Sequence, residues 1–266
     1  MNRKQRRINR SKVQQKLKVK YSDFTDLKFG SLPQTSHSVD KCYAKGLGSC
    51  GGEISREHYI SESILEMFSG IQPEGIPWMS HRSQLIGPND LTVKCLCEKH
   101  NNYLSPLDVT ASAFFKSILD YGTYNPKIVT VSGDLLERWC LKLLFGFLAT
   151  KQVKIKNETI GPEYLGDDLL EYLFLGTKKP LGRGLYSYLV QGQQIQITTK
   201  IGLETLLIDD VFQGLRMNLA GFEFYFVLCD KEVGFKTDHP SYDYVLHHPA
   251  EFNKDPYPQA IKLKWD

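Results

Sequence analysis

Two short clusters constrain this chain more than anything else in it: Cys42 with Cys50, and Cys97 with His100 three residues on. A structural zinc ion takes four soft or borderline ligands in a tetrahedron. A two-residue gap suits it, because one turn sets residues i and i+3 on the same side of an ion. Cys97 and His100 have that gap and supply half a site, and Cys42 and Cys50 supply the other half across a longer loop. Gly48, Gly51 and Gly52 flank Cys50 and let the backbone bend tightly there. Cys95 is the alternative ligand, although its place two residues before Cys97 on an alternating segment points it toward a core. The competing reading is that all of these are simply buried cysteines.

Length and composition set the frame. A chain of 266 residues with 41% hydrophobic content can bury a proper core in one large domain or two small ones. No window holds eighteen consecutive apolar residues, and the N-terminal run of Arg and Lys has no apolar stretch behind it. The expectation is therefore a cytoplasmic protein without a membrane span. Six cysteines in that setting read as metal ligands and core residues, not disulfides.

The net charge of +3 conceals an asymmetry. Residues 1–21 carry nine basic side chains and no acidic ones, which leaves 24 basic against 30 acidic residues in the body, near −6. A polyanion would be gripped by this arm and by local patches, with strong salt dependence, and not by a uniformly basic surface. As a structural element, the arm reads as a flexible basic tail.

Along the chain, residues 22–41 are a polar lead-in. Glu53 to Ser61 predicts a short strand, and Ser61 with Glu62 the start of a helix. Residues 69–90 are rich in Gly and Pro and read as a loop. Leu91 to Leu96 predicts a strand with Leu91, Val93 and Cys95 on one side, and Glu98 opens a helix. Helical spacing recurs from Asp108 to Tyr121 and again from Asp134 to Phe147, where Asp134 is the expected cap. From Gln152 onward the pattern turns to strands: Leu185–Val190, Gln194–Ile201, Thr205–Ile208, Phe222–Leu228 and Tyr244–Leu246. Phe222, Phe224, Phe226 and Leu228 mark one buried face of an antiparallel sheet. The expected organisation is a basic arm (1–21), a zinc-stapled domain (22–128) and a helix followed by a β-rich region (129–266), in an α+β fold.

The order of these features resembles a known family. Cys42…Cys50, then Glu57-His58 on a strand, then Cys97-x-x-His100-Asn101 at the start of a helix, is similar to the zinc-containing HNH endonucleases. Their ββα-metal motif sits on a treble-clef core, and the resemblance covers residues 42 to about 108. It implies that Cys42, Cys50, Cys97 and His100 hold structural Zn²⁺. It implies that His58 is the general base that takes a proton from the water attacking a phosphodiester, a task suited to a neutral imidazole. Glu57, where the family usually has Asp, and Asn101 would hold a catalytic divalent ion such as Mg²⁺, and Asn89 would orient the base. The implied partner is nucleic acid, DNA ahead of RNA.

A rival reading keeps the zinc and drops the chemistry, leaving a module that binds nucleic acid or protein. Other candidates are poorer. His239, His247 and His248, near Asp238, Asp243 and Glu251, read as a polar loop, and Gly182-Arg183-Gly184 reads as a turn that lacks the Lys-Ser/Thr of a phosphate loop.

Overall fold

The computed structural model describes residues 20–32, 35–67, 73–74, 91–120, 127–156, 158–177, 184–188, 201–208, 211–219, 221–228, 245–254 and 259–266. Of the arm, residues 1–19 lie outside this set, as do most of the expected strand Gln194–Ile201 and Asn89. Helices and sheets both contribute, an α+β architecture. No helix among the described residues is long and apolar enough to cross a membrane.

The first half runs β1 (Lys20–Phe24), a 3-10 turn (Lys45–Leu47), β2 (Glu57–His58), α1 (Glu62–Leu65), β3 (Pro73–Glu74), β4 (Thr92–Val93), α2 (Glu98–Tyr103) and α3 (Ser105–Leu119). The second runs β5 (Lys127–Ser132), α4 (Gly133–Ala149), β6 (Lys154–Ile155), β7 (Glu158–Thr159), a second 3-10 turn (Pro162–Tyr164) and α5 (Asp167–Leu175). It continues with β8 (Gly184–Tyr188), β9 (Ile201–Ile208), β10 (Val211–Leu219), β11 (Phe222–Val227), β12 (Val245–His247), β13 (Glu251–Lys254) and β14 (Gln259–Lys264).

α4 is the axis of the molecule. The Ser132 hydroxyl accepts from the Leu135 amide at 3.2 Å and caps the helix two residues earlier than Asp134 would, because Gly133 and Asp134 already lie inside it. Leu135, Leu136, Trp139, Leu143, Leu144 and Phe147 are buried, and so are Glu137, Arg138 and Lys142, so the helix is enclosed on every side. α3 lays Leu107, Ala111, Phe114, Phe115 and Ile118 along one stripe against it. Phe114 and Phe115 are 1% and 2% exposed, worth roughly 1.5–3 kcal/mol each. α5 is joined through Arg138, whose guanidinium donates to the carbonyls of Leu173 (2.7 Å) and Phe174 (3.2 Å) at the helix C-terminus.

Two larger sheets flank these helices. One has the order β1-β5-β14-β13, with β5 parallel to both β1 and β14. The boundary expected at 128/129 thus falls inside β5, and Lys20 and Tyr21 of the expected arm open β1. The other has the order β12-β8-β11-β10-β9-β3, antiparallel apart from β3 beside β9. Phe222, Phe224, Phe226 and Leu228 are buried as expected, but Tyr225 and Val227 are covered too, with Tyr186 and Leu206 on the opposite face.

Candidate metal centre

The first cysteine loop is built by its own turns. The Cys42 amide donates to the Val39 carbonyl at 2.8 Å, and the Lys45 amide returns to Cys42 at 3.1 Å. Gly48 then takes φ 69°, where a β-carbon would stand 2.9 Å from the Thr35 carbonyl oxygen, so only glycine fits. This bend brings Cys50 back beside Cys42. On the other segment Cys97 is extended (φ −71°, ψ 157°) and immediately precedes α2, which puts His100 one turn further on the same side.

The four side chains meet. His100 Nδ1 lies 3.4 Å from Cys42 Sγ, 3.8 Å from Cys50 Sγ and 3.3 Å from Cys97 Sγ. Ligands bonded to one zinc at tetrahedral angles, with Zn–S near 2.3 Å and Zn–N near 2.05 Å, stand about 3.6 Å apart. All four residues are at most 3% exposed, and their ligand atoms lie within 4.8 Å of one another. The donor set and spacing therefore fit zinc, and four protein ligands leave no open position, as in structural sites. Cys95 is not one of them: it is buried in the core, where burial pushes its thiol up to about 12.

The thiols of the cluster shift in opposite directions. Burial pushes the Cys42 thiol up to about 12 and raises Cys50 as well. Burial acts the same way on Cys97, but the amides of Gly51 and His100 and the two neighbouring thiols outweigh it, and Cys97 ends below the ordinary thiol value. The Gly51 amide donates to Cys97 Sγ at 3.5 Å. Burial, then the nearby Lys99, drops His100 to about 4, so its ring is neutral and able to ligate at pH 7.

A hairpin leaves this cluster together with α2. Ile54 bridges Cys97, the Ser55 amide donates to Leu96 at 2.9 Å, Glu57 pairs with Val93, His58 with Thr92, and the Tyr59 amide donates to Leu91 at 2.9 Å. The expected two strands and the helix after them are thus present around the metal ligands, with α1 and β3 between the strands; most of the expected loop 69–90 lies outside the described residues. Tyr43 stacks on Phe145 at 5.2 Å and Tyr59 on Phe147 at 4.9 Å, which seats the loop and the hairpin on α4.

The remaining expected site residues are distributed less simply. Glu57 points inward and forms an ion pair with the Lys142 ammonium, which also meets Asp108 at 2.8 Å. Burial raises the Glu57 carboxyl above its ordinary value, with Lys142 opposing. The Ser61 hydroxyl donates to Asp108 and accepts from the Trp139 indole N–H at 3.3 Å, so it does not cap α1. His58 is half-buried, and its Nε2 has no hydrogen-bond partner among the described residues. Asn101 is half-buried on α2, with its backbone amide on the Cys97 carbonyl at 2.9 Å.

Lys142 and Asp108 were not among the expected site residues. The available signal was a lone lysine between Leu141 and Leu143 on a helix otherwise apolar over a wide face, which requires a buried counter-charge. No family model, curated protein or solved structure matches this chain.

Proposed function

We propose that the chain is a zinc-stapled, metal-dependent endonuclease of the HNH type, hydrolysing phosphodiester bonds, with DNA the first substrate to try. One observation carries the reading: a Cys₃His cluster from which a β-hairpin bearing His58 and a helix bearing Asn101 both depart. Zinc supplies rigidity there, fixing the two segments relative to each other. The reading assigns proton acceptance from water to His58, whose Nε2 is enclosed and carries no hydrogen bond to another described side chain or backbone group, so the site must open for water to reach it. The basic arm of residues 1–21 supplies phosphate contacts.

Magnesium on Glu57 does not fit the present arrangement. A hydrated magnesium needs accessible oxygens, and this carboxylate is 8% exposed and held by Lys142. That same pairing favours the second reading, a non-catalytic zinc module that binds nucleic acid or protein. The two separate in one experiment, in which purified protein is incubated with plasmid DNA and with RNA, with and without magnesium and chelator. The nuclease reading expects metal-dependent cleavage that His58→Ala reduces by at least about 100-fold, the general-base contribution, with zinc content unchanged. Retention of nucleic acid without cleavage, equal in the wild type and His58→Ala, would establish the binding module instead.

A further inference from the structure

A cleft of about 520 Å³ opens beside the cysteine cluster, between the Gly51-Gly52 backbone that follows Cys50 and the residues Glu98, Lys99 and Asn102 of α2. Its volume is within the usual range of small-ligand sites. We propose that this cleft binds a guanosine monophosphate unit, with the Glu98 carboxylate on the Watson–Crick edge of the base and the Lys99 ammonium on the phosphate.

The first support is charge left open. Glu98 and Asn102 are exposed and Lys99 is half-buried, and none of the three side chains makes a hydrogen bond or ion pair with a described residue. A carboxylate and an ammonium thus line one cleft without neutralising each other. A ligand that brings a pair of N–H donors and an anionic group satisfies both.

The second is room. Gly52 takes φ 72°, and a β-carbon there would overlap the Glu98 carboxylate, while one at Gly51 would stand 3.0 Å from the Lys99 stem. Glycine at both positions is what lets the two charged side chains lie along the floor and a ligand come close to the backbone. That floor is fixed from behind. The Gly51 amide donates to Cys97 Sγ at 3.5 Å, its carbonyl accepts from the Lys99 amide at 3.1 Å, and the Glu98 amide donates to the Glu53 carbonyl at 2.9 Å. Tyr103 closes one end of the cleft, with its ring packed on Phe29 at 5.2 Å and its hydroxyl donating to the Phe174 carbonyl at 2.9 Å.

The donors choose the base. A carboxylate only accepts, and two parallel N–H groups satisfy both of its oxygens. Guanine presents N1–H and N2–H side by side, whereas adenine and cytosine set a ring lone pair next to their amino group, and thymine and uracil hold a single N–H between two carbonyls. A duplex hides this edge, so the ligand is the free nucleotide or an unpaired guanosine in a strand.

The test uses the full zinc-loaded chain without magnesium, and no readout in it depends on cleavage, so this proposal and the nuclease reading fail separately. Calorimetric titration with GMP, AMP, CMP and UMP should show GMP bound about 10-fold or more tightly than the others, the scale of one bidentate base contact. Glu98→Gln should remove that preference with zinc content unchanged. Lys99→Met should weaken GMP while leaving guanosine, which has no phosphate, bound as before. Oligothymidylates with and without one central guanosine separate the two sources. Tighter binding of the guanosine-bearing strand, lost in Glu98→Gln, assigns an unpaired guanosine, and equal binding of the two strands assigns the free nucleotide. No GMP binding by the wild type at millimolar concentration overturns the proposal whatever the variants do, and so does equal affinity for the four nucleotides or an undiminished preference in Glu98→Gln.

Discussion

A lysine ammonium enclosed by protein has to be neutralised where it sits, and Lys142 meets Glu57 on one side and Asp108 on the other. Burial alone would lower its pKa, but the two carboxylates outweigh that and raise it, so the lysine stays charged. Removing one member of such a group strands the others. Lys142→Met should cost about 3–5 kcal/mol in urea unfolding, because two carboxylates are then left without a cation. Glu57→Gln combined with Lys142→Met should recover part of that loss, since the most buried of the unpaired charges is gone as well. A single variant within 1 kcal/mol of wild type, on the scale of an exposed pair, would mean that the three groups do not form a buried unit. Glu57 next to His58 was legible in the sequence as a pair, but its partner was not: Lys142 is 85 residues away, and only the folded α4 brings it close.

At the scale of elements, legibility followed the reach of the interactions. α3 and α4 could be read because their apolar residues recur every three or four positions along one segment. β1, by contrast, is the five residues KYSDF, and its strand character comes from parallel pairing with β5 more than a hundred residues on, which leaves no local mark. β14 shares that distant parallel pairing with β5, whereas β13 pairs, among the described residues, only with β14, a few residues further on. α5 was readable and missed: Gly166 precedes it, Leu169, Leu170, Leu173 and Phe174 are buried at helical spacing, and Gly176 ends it at φ 64°. For the start of α4, Ser132→Ala should destabilise by about 1 kcal/mol and Asp134→Ala by a few tenths, because only the serine hydroxyl satisfies a helix amide. Denaturation midpoints of the two variants compared with wild type decide between the residues, and the reverse ranking would restore Asp134 as the cap.

At the scale of the whole molecule, the zinc ligands come from two segments between which the chain forms β2, α1, β3 and β4, and they sit in the same core as α4 and α5. His100 meets the edge of Phe174 at 5.1 Å, so the far end of α5 covers the metal cluster. Three thiols and an imidazole at this burial have no water to turn to when the ion is removed, so chelation should lower the thermal midpoint and expose the Tyr59 amide, which pairs with Leu91, to hydrogen exchange. The pH dependence of zinc uptake has a definite sign. Without metal, Cys42 is pushed up to about 12 and Cys50 is raised by burial too, so both carry protons at pH 7. Zinc binds the thiolates and must displace a proton from each, so affinity rises with pH, by about tenfold per unit for each proton released and about a hundredfold for both. Calorimetric titration with zinc in two buffers of different ionisation enthalpy, repeated at pH 7 and 8, counts those protons directly. Release of two or more, falling by one in Cys42→Ser, is the outcome that a buried Cys₃His centre requires, and uptake with no proton release would remove Cys42 and Cys50 from the ligand set.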